Sequence, residues 1–211
     1  LNDINTFALQ HAICNYDETG SYESRYPIVT YLNSVSKTIL VWGNYNKDIF
    51  TKHTDAKIFI IGKASLPVET PLLEGVTFIY ENTEFYNANK KLLSLSNNLL
   101  KSGVPISNWF KPGHILIKGN VTRDGPLRKI VVGSNSSMLV ELGYLGFNVF
   151  VIEKSNIKNK LPKNLIVSDI DTVLKKSKSL ENYQHHIWKN FIECTGEECV
   201  KRYKNILLKN Y

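Results

Sequence analysis

The sequence has few of the features that mark secreted, membrane-spanning or fibrous proteins. Three cysteines, Cys14, Cys194 and Cys199, are an odd number without repeated spacing, which argues against a disulfide framework and favours a reducing compartment. No apolar run approaches the roughly 18 residues that span a bilayer, and no secretory signal opens the chain. Internal repeats and low-complexity linkers are also missing. We therefore expect a globular, cytoplasmic protein.

Acidic residues are the minority among the charged ones. The 26 Lys and Arg against 19 Asp and Glu give a formal net charge of +7, which favours anionic partners such as nucleotide phosphates, nucleic acid or lipid headgroups. The basic residues are densest in Lys154–Lys163 and Lys175–Lys178, which we interpret as solvated surface. Peripheral association with the inner face of the plasma membrane is the second interpretation. Nucleic acid is not an expected partner, because the aromatic residues lie in apolar runs rather than among Lys and Arg.

Short apolar, β-branched runs alternate with polar stretches of helical periodicity. This alternation is typical of βαβ units, and it predicts a Rossmann-like α/β fold with a mostly parallel sheet flanked by helices. The predicted strands are Thr38–Trp42, Lys57–Ile61, Val76–Tyr80, Ile115–Lys118, Lys129–Val132, Asn148–Ile152 and Leu165–Val167. The predicted helices are Glu84–Lys101, Asn135–Leu145, Asp171–Lys178, Leu180–Phe191 and Gly196–Leu208.

The predicted organisation is an irregular lead segment over residues 1–30 and one Rossmann-like domain over residues 31–211. The lead segment is rich in turn formers and aromatic residues. Because the chain begins at Leu1 rather than Met, we interpret it as part of a longer enzyme whose N-terminal domain is missing. An authentic processed terminus is the alternative.

The most informative stretch is KIVVGSNSSMLVELGYLGFNVFVIEK, which begins at Lys129. It predicts a buried strand, a turn, a helix and a second strand, and the turn of such a unit lies at the sheet edge where α/β proteins bind ligands. Glycine permits a tight turn, and the polar residues offer hydroxyl groups, an amide and unpaired helix N–H groups to an anion. The candidate phosphate-binding residues are Gly133, Ser134, Asn135, Ser136 and Ser137.

Glu141 follows the serines by one helical turn. Helical spacing places Ser137, Glu141 and Tyr144 on one face and Met138, Leu142 and Leu145 on the core face. A carboxylate below a phosphate site can accept two hydrogen bonds from a ribose diol. The alternative is that the serines only cap the helix and that Glu141 faces solvent.

The stretch GSNSSMLVELGYLGFNVFVIE resembles the SS-x-x-x-E-x-x-x-x-G-x-x-V pattern of GT-B glycosyltransferases. The similar enzymes build bacterial surface polysaccharides, and they include capsule polymerases, teichoic-acid-type polymerases and sialyltransferase-like proteins. The resemblance is to their carboxyl-terminal domain, which binds the nucleotide sugar. It implies that Ser136 and Ser137 contact the donor phosphate and that Glu141 contacts the ribose.

Two further segments resemble the same enzymes in the same order along the chain. FALQHA, which begins at Phe7, is similar to their LQHG segment, although Ala12 stands where they have Gly. The resemblance implies that His11 faces the interdomain cleft, as a general base on the acceptor or as a donor to phosphate. WFKPGH is similar to their Lys-Pro-His strand end, which implies phosphate contacts for Lys111 and His114. Arg123 or Arg128 is the alternative source of positive charge.

The predicted function is transfer of a sugar or alditol phosphate from a CMP-, CDP- or UDP-linked donor to a surface glycan such as capsule or lipopolysaccharide. The isolated fragment is expected to be inactive. We expect no metal and no cofactor besides the donor, because helix dipoles and cations would stabilise the leaving phosphate. Asp169 and Asp171 form an Asp-x-Asp sequence, but N-capping of a helix explains them better. The alternatives are a non-catalytic assembly module of a capsule complex and a sugar-nucleotide epimerase.

Overall fold

The computed structural model describes residues 6–10, 36–64, 73–81, 86–110, 123–152, 161–177 and 185–209. The chain divides into two compact units. Unit 1 combines Leu1–Pro67 with His186–Tyr211, and unit 2 is Val68–His185. The sheet of unit 1 is parallel and that of unit 2 is mostly parallel, and helices flank both, so the predicted α/β fold is confirmed. The residues of the predicted domain 31–211 are shared between the two units.

Unit 1 is built on three parallel strands in the order β1-β2-β3. Its elements are β1 (Phe7–Leu9), β2 (Thr38–Val41), α1 (Asn44–Thr51), β3 (Lys57–Ile60), α5 (His185–Lys189) and α6 (Gly196–Lys209). Side chains alternate between the two faces of β2. Ile39 and Val41 pack with Phe50 of α1, whereas Leu40 packs with Cys199 of α6. A helix therefore covers each face of this sheet.

Strand β1 differs from the irregular conformation predicted for the start of the chain. Phe7, Ala8 and Leu9 pair in parallel register with Thr38, Ile39 and Leu40. The amide of the next residue, Gln10, donates to the carbonyl of Leu40 at 2.9 Å and extends this ladder.

A returning segment, residues 190–196, closes unit 1 at the carboxyl ends of its strands. The amide of Glu193 donates to the carbonyl of Trp42, and the amide of Lys63 donates to the carbonyl of Cys194, both at 2.9 Å. Cys194 and Cys199 are free and buried, and burial raises the pKa of both thiols. The end of the chain is thus hydrogen-bonded into the sheet formed by its beginning.

Unit 2 is built on six strands in the order β6-β5-β4-β7-β8-β9. Its strands are β4 (Leu73–Ile79), β5 (Ile106–Trp109), β6 (Arg123–Asp124), β7 (Arg128–Gly133), β8 (Asn148–Ile152) and β9 (Ile166–Val167). Its helices are α2 (Tyr86–Lys101), α3 (Ser137–Tyr144), α4 (Ile170–Ser177) and the 3-10 turn Lys163–Leu165. All the strand pairs are parallel except β5 with β6.

Strands β4, β7 and β8 form the centre of unit 2, and every residue of β8 is buried. Such continuous burial is expected where helices cover both faces of a parallel sheet. The predicted strand Ile115–Lys118 lies outside the described residues. No helix among the described ranges is long and apolar enough to cross a membrane.

Candidate functional site

The predicted phosphate-binding residues form one continuous turn in unit 2, which we call the serine turn (Gly133–Ser137). Gly133 ends β7, Ser134 to Ser136 make the turn, and Ser137 begins α3. Strand β7 lies between β4 and β8 and is parallel to both. The serine turn therefore lies at the carboxyl edge of the sheet and near its middle, where open α/β sheets place their ligands.

Ser136 is the N-cap of α3 by its backbone but does not cap the helix with its side chain. Its φ of −65° and ψ of 133° are extended, and its carbonyl accepts the amide of Leu139 at 3.1 Å. The alternative that both serines only cap the helix therefore does not hold for Ser136. Ser136 is 7% exposed, whereas Asn135 and Ser137 are partly exposed.

Gly133 is the residue that lets α3 start close to β7. A Cβ at this position would lie 2.8 Å from Cδ2 of Leu139, which is itself completely buried. Because Leu139 belongs to the first turn of α3, a larger residue at position 133 would push the helix start away from the strand. The close approach, rather than an unusual backbone angle, requires glycine here.

Glu141 is buried with 7% of its surface exposed, which differs from the solvent-facing alternative. It follows Ser137 by four residues, which is about 6 Å along a helix axis. Leu139, Val140 and Leu142 are completely buried, whereas Met138 and Leu145, predicted for the core face, are partly exposed. Neighbouring elements thus cover most sides of this short helix, and its carboxylate lies inside the protein.

A second buried carboxylate, Glu81, contacts the serine turn and was not among the site residues predicted from the sequence. Its Oε1 accepts the backbone N–H of Asn135 at 2.7 Å, and its side chain is among the most buried charged groups, at 1% exposure. Glu81 stands two residues beyond the end of β4, the strand beside β7. The signal available in the sequence was an acidic residue directly after a buried strand.

The two arginines suggested as sources of positive charge lie at opposite ends of the parallel strands, Arg128 at the amino ends and Arg123 at the carboxyl ends. Arg128 begins β7, and its guanidinium donates to the carbonyl of Glu74 at 2.7 Å and to Oγ of Ser107 at 3.0 Å. At about 3.3 Å per residue it is roughly 16 Å from the serine turn, which excludes it as a phosphate ligand there. Arg123 instead pairs with Trp109 at the carboxyl end of β5, 4.4 Å above its ring.

An aromatic pair lies at the same carboxyl edge. The rings of Tyr80 and Phe110 stack with centroids 4.6 Å apart, and the Tyr80 hydroxyl donates to Oδ1 of Asn108 at 3.2 Å. Burial raises the pKa of Tyr80 to about 12, and a hydrogen bond with Ser96 partly offsets this effect.

We expect the burial of Tyr80 to make the protein less stable at strongly alkaline pH. The pKa of Tyr80 is about 12 in the folded state against 10.0 for the free side chain, so its contribution is complete below pH 10.0. This contribution is then lost as the pH rises towards 12. The tyrosinate absorbance of the natural chain minus that of Tyr80→Phe measures this titration. A midpoint near 10 in the difference would contradict the structure.

Three of the predicted site residues, His11, Lys111 and His114, lie outside the described residues. The capping prediction for the Asp-x-Asp sequence is confirmed for its first residue. Oδ1 of Asp169 accepts the amide of Thr172 at 2.8 Å at the start of α4, and this bond lowers the carboxyl pKa. Among the described residues, no three His, Cys, Asp or Glu side chains converge as metal ligands.

The opposite edge of unit 2 contains a cavity of about 470 Å³. Residues at the amino ends of the central strands line it, among them Glu74, Lys129 and Asn148. Parallel α/β sheets bind their ligands at the carboxyl edge, so the serine turn remains the better candidate.

Comparison with known proteins identifies a shared fold. No protein-family model and no curated protein sequence matches the chain. A chain of the GtfA/B complex is similar in structure, with a TM-score of 0.51 at 12% identity over 97% of this chain and 52% of that one. Sucrose-phosphate synthase from Thermosynechococcus elongatus gives a TM-score of 0.45 at 9% identity over 96% of this chain and 65% of the enzyme. The present chain thus spans about half the length of the first structure.

Proposed function

We propose that this chain is the part of a GT-B glycosyltransferase that binds the nucleotide-activated donor, and that the serine turn binds the donor phosphate. The observation that carries the proposal is the place of this turn, between the middle strand β7 and the N-terminus of α3. The Ser136 hydroxyl, which does not cap the helix, supports the same assignment. The fold shared with a chain of the GtfA/B complex is consistent with this architecture.

The phosphate would be held by backbone amides and a helix dipole. The first N–H groups of an α-helix have no partner within the helix, and the positive end of the dipole favours an anion there. The amides of Ser136 and Ser137 are the donors nearest this position, and their hydroxyl groups add two more. Such a site stabilises the charge that develops on a departing phosphate, and transfer would then need no metal.

The ribose is assigned to Glu141. The resemblance to GT-B enzymes implies this contact, and a carboxylate can accept two hydrogen bonds from a ribose diol. Glu141 and the serines lie on one short helix, and their spacing is therefore fixed. Because of this fixed spacing, Glu141 and the serines would contact the ribose and the phosphate of one nucleotide at the same time.

His11 would act on the acceptor or the donor phosphate, and Lys111, His114 or Arg123 would supply positive charge. Arg123 is the one of these that the structure describes at the carboxyl edge; it lies on β6, three strands from β7 and about 14 Å away laterally. The acceptor would be a growing bacterial surface glycan, bound with a further domain at the cytoplasmic face of the membrane.

Titration of the chain with CMP, CDP, UDP and GDP by isothermal calorimetry tests the proposal. We expect one of these nucleotides to bind in preference, and Ser136→Ala to weaken its binding about tenfold, as the loss of one hydrogen bond to a charged group predicts. Ser102→Ala, an exposed serine in the same unit, is the control. The absence of binding to all four nucleotides would contradict the proposal and favour an assembly module.

A further inference from the structure

Glu81 connects three elements of unit 2 at the carboxyl edge of the sheet. Its amide donates to Oδ1 of Asn89 at 2.9 Å, and its carbonyl accepts from Nδ2 of Asn89 at 3.1 Å. Asn89 belongs to the first turn of α2 and is 5% exposed. The backbone of Glu81 is thus held on both sides by one buried amide side chain, which leaves its carboxylate in a defined place.

The carboxylate takes one backbone donor of the serine turn. The 2.7 Å bond from the Asn135 N–H to Oε1 is short, as expected for a hydrogen bond to a charged acceptor. Asn135 directly precedes the N-cap Ser136, so this bond fixes the peptide from which α3 starts. A loop that is anchored one residue before the helix presents the following amides in one orientation.

We propose that Glu81 is a positioning residue for the serine turn. Its carboxylate binds the Asn135 amide and so leaves the amides of Ser136 and Ser137 as the donors for phosphate. This inference rests on the proposed function for its ligand, but the anchoring itself is a property of the chain alone. This role also explains why an acidic group lies beside an anion site. The carboxylate of Glu81 accepts a backbone hydrogen bond and orders the turn, and it does not itself contact the ligand.

Two substitutions at position 81 test the proposal. Glu81→Ala removes the acceptor, whereas Glu81→Gln keeps an acceptor oxygen for the Asn135 amide. We expect Glu81→Ala to remove the hydrogen-exchange protection of the Asn135 amide and to weaken nucleotide binding at least tenfold. Glu81→Gln should retain the protection and bind within about threefold of the natural chain, since a neutral hydrogen bond is roughly half as strong as a charged one. Glu74→Ala, which removes an exposed acid at the other end of β4, is the control.

The outcomes separate this proposal from the proposed function. Natural affinity or natural Asn135 protection in Glu81→Ala would overturn the role of Glu81 while leaving nucleotide binding intact. Equal losses in Glu81→Ala and Glu81→Gln, together with lower protection of Val131 in β7, would indicate a general packing role and would also overturn it. If the natural chain binds none of the four nucleotides, the proposed function fails. Protection of Asn135 in the two variants then decides whether Glu81 anchors the turn.

Discussion

A Glu141→Ala variant is expected to bind its nucleotide about 10- to 100-fold more weakly than the natural chain. Each hydrogen bond to a charged group contributes about 1.5–3 kcal/mol, and tenfold in affinity corresponds to 1.4 kcal/mol. Calorimetric titration with the nucleotide that the natural chain prefers measures the effect.

Two controls separate recognition of the ribose from damage to α3. Glu141→Gln keeps the size of the side chain and one acceptor oxygen, and it should lose about tenfold. The natural chain should bind the corresponding 2′-deoxynucleotide more weakly than the ribonucleotide. The Glu141→Ala variant should bind the two nucleotides with equal, weak affinity. Equal affinity of the natural chain for both nucleotides would contradict the assignment of Glu141 to the ribose.

A Gly62→Ala variant is expected to lose roughly 2–5 kcal/mol of stability in unit 1. Gly62 has a φ of +84°, where a residue with a Cβ is strained by about 1–2 kcal/mol. The added Cβ would also meet the carbonyl oxygen of Cys194 and lie 2.6 Å from its Sγ. Both effects act where the returning segment joins β3. Urea unfolding followed by tryptophan fluorescence measures the loss, since Trp42 and Trp188 are buried in this unit.

Two other glycines in unit 1 separate these causes. Gly196 has a φ of +60° with nothing within 4 Å of its Cβ position, so Gly196→Ala should lose only the strain, about 1–2 kcal/mol. Gly43 has an extended φ of −163°, but its Cβ would lie 2.6 Å from backbone atoms of Phe191. Gly43→Ala should therefore report the close contact alone. Equal losses in Gly62→Ala and Gly196→Ala would show that the returning segment is not held tightly against β3.

The periodic, strongly apolar elements were predictable from the sequence, and the polar ones were not. Strand Asn148–Ile152 was predicted with its observed bounds because burial on both faces leaves an unbroken apolar run. Strand β5 has the sequence ISNW, and its buried Ser107 is satisfied by the Arg128 side chain. Helix α1, NYNKDIFT, buries Asn46 against Gln10 at 2.6 Å. Tertiary hydrogen bonds stabilise both elements, and a local sequence pattern does not reveal bonds to residues that are distant in the chain.

The same limit applies to the candidate site. The turn Gly133–Ser137 and its helix could be recognised because they are contiguous in the chain, and one βαβ unit places them together. Glu81 is 54 positions before Asn135, and only the pairing of β4 with β7 brings the two residues together. The division into two units could not be predicted from the sequence either, because unit 1 is completed by a segment from the other end of the chain.

An amide NMR titration of the chain with the nucleotide it prefers tests phosphate binding at the serine turn most directly. Binding at the serine turn predicts the largest shifts for the amides of Ser134 to Met138, with smaller ones along α3 towards Glu141. Shifts concentrated at Glu74, Lys129 and Asn148, which line the cavity at the opposite edge, would contradict nucleotide binding at the serine turn.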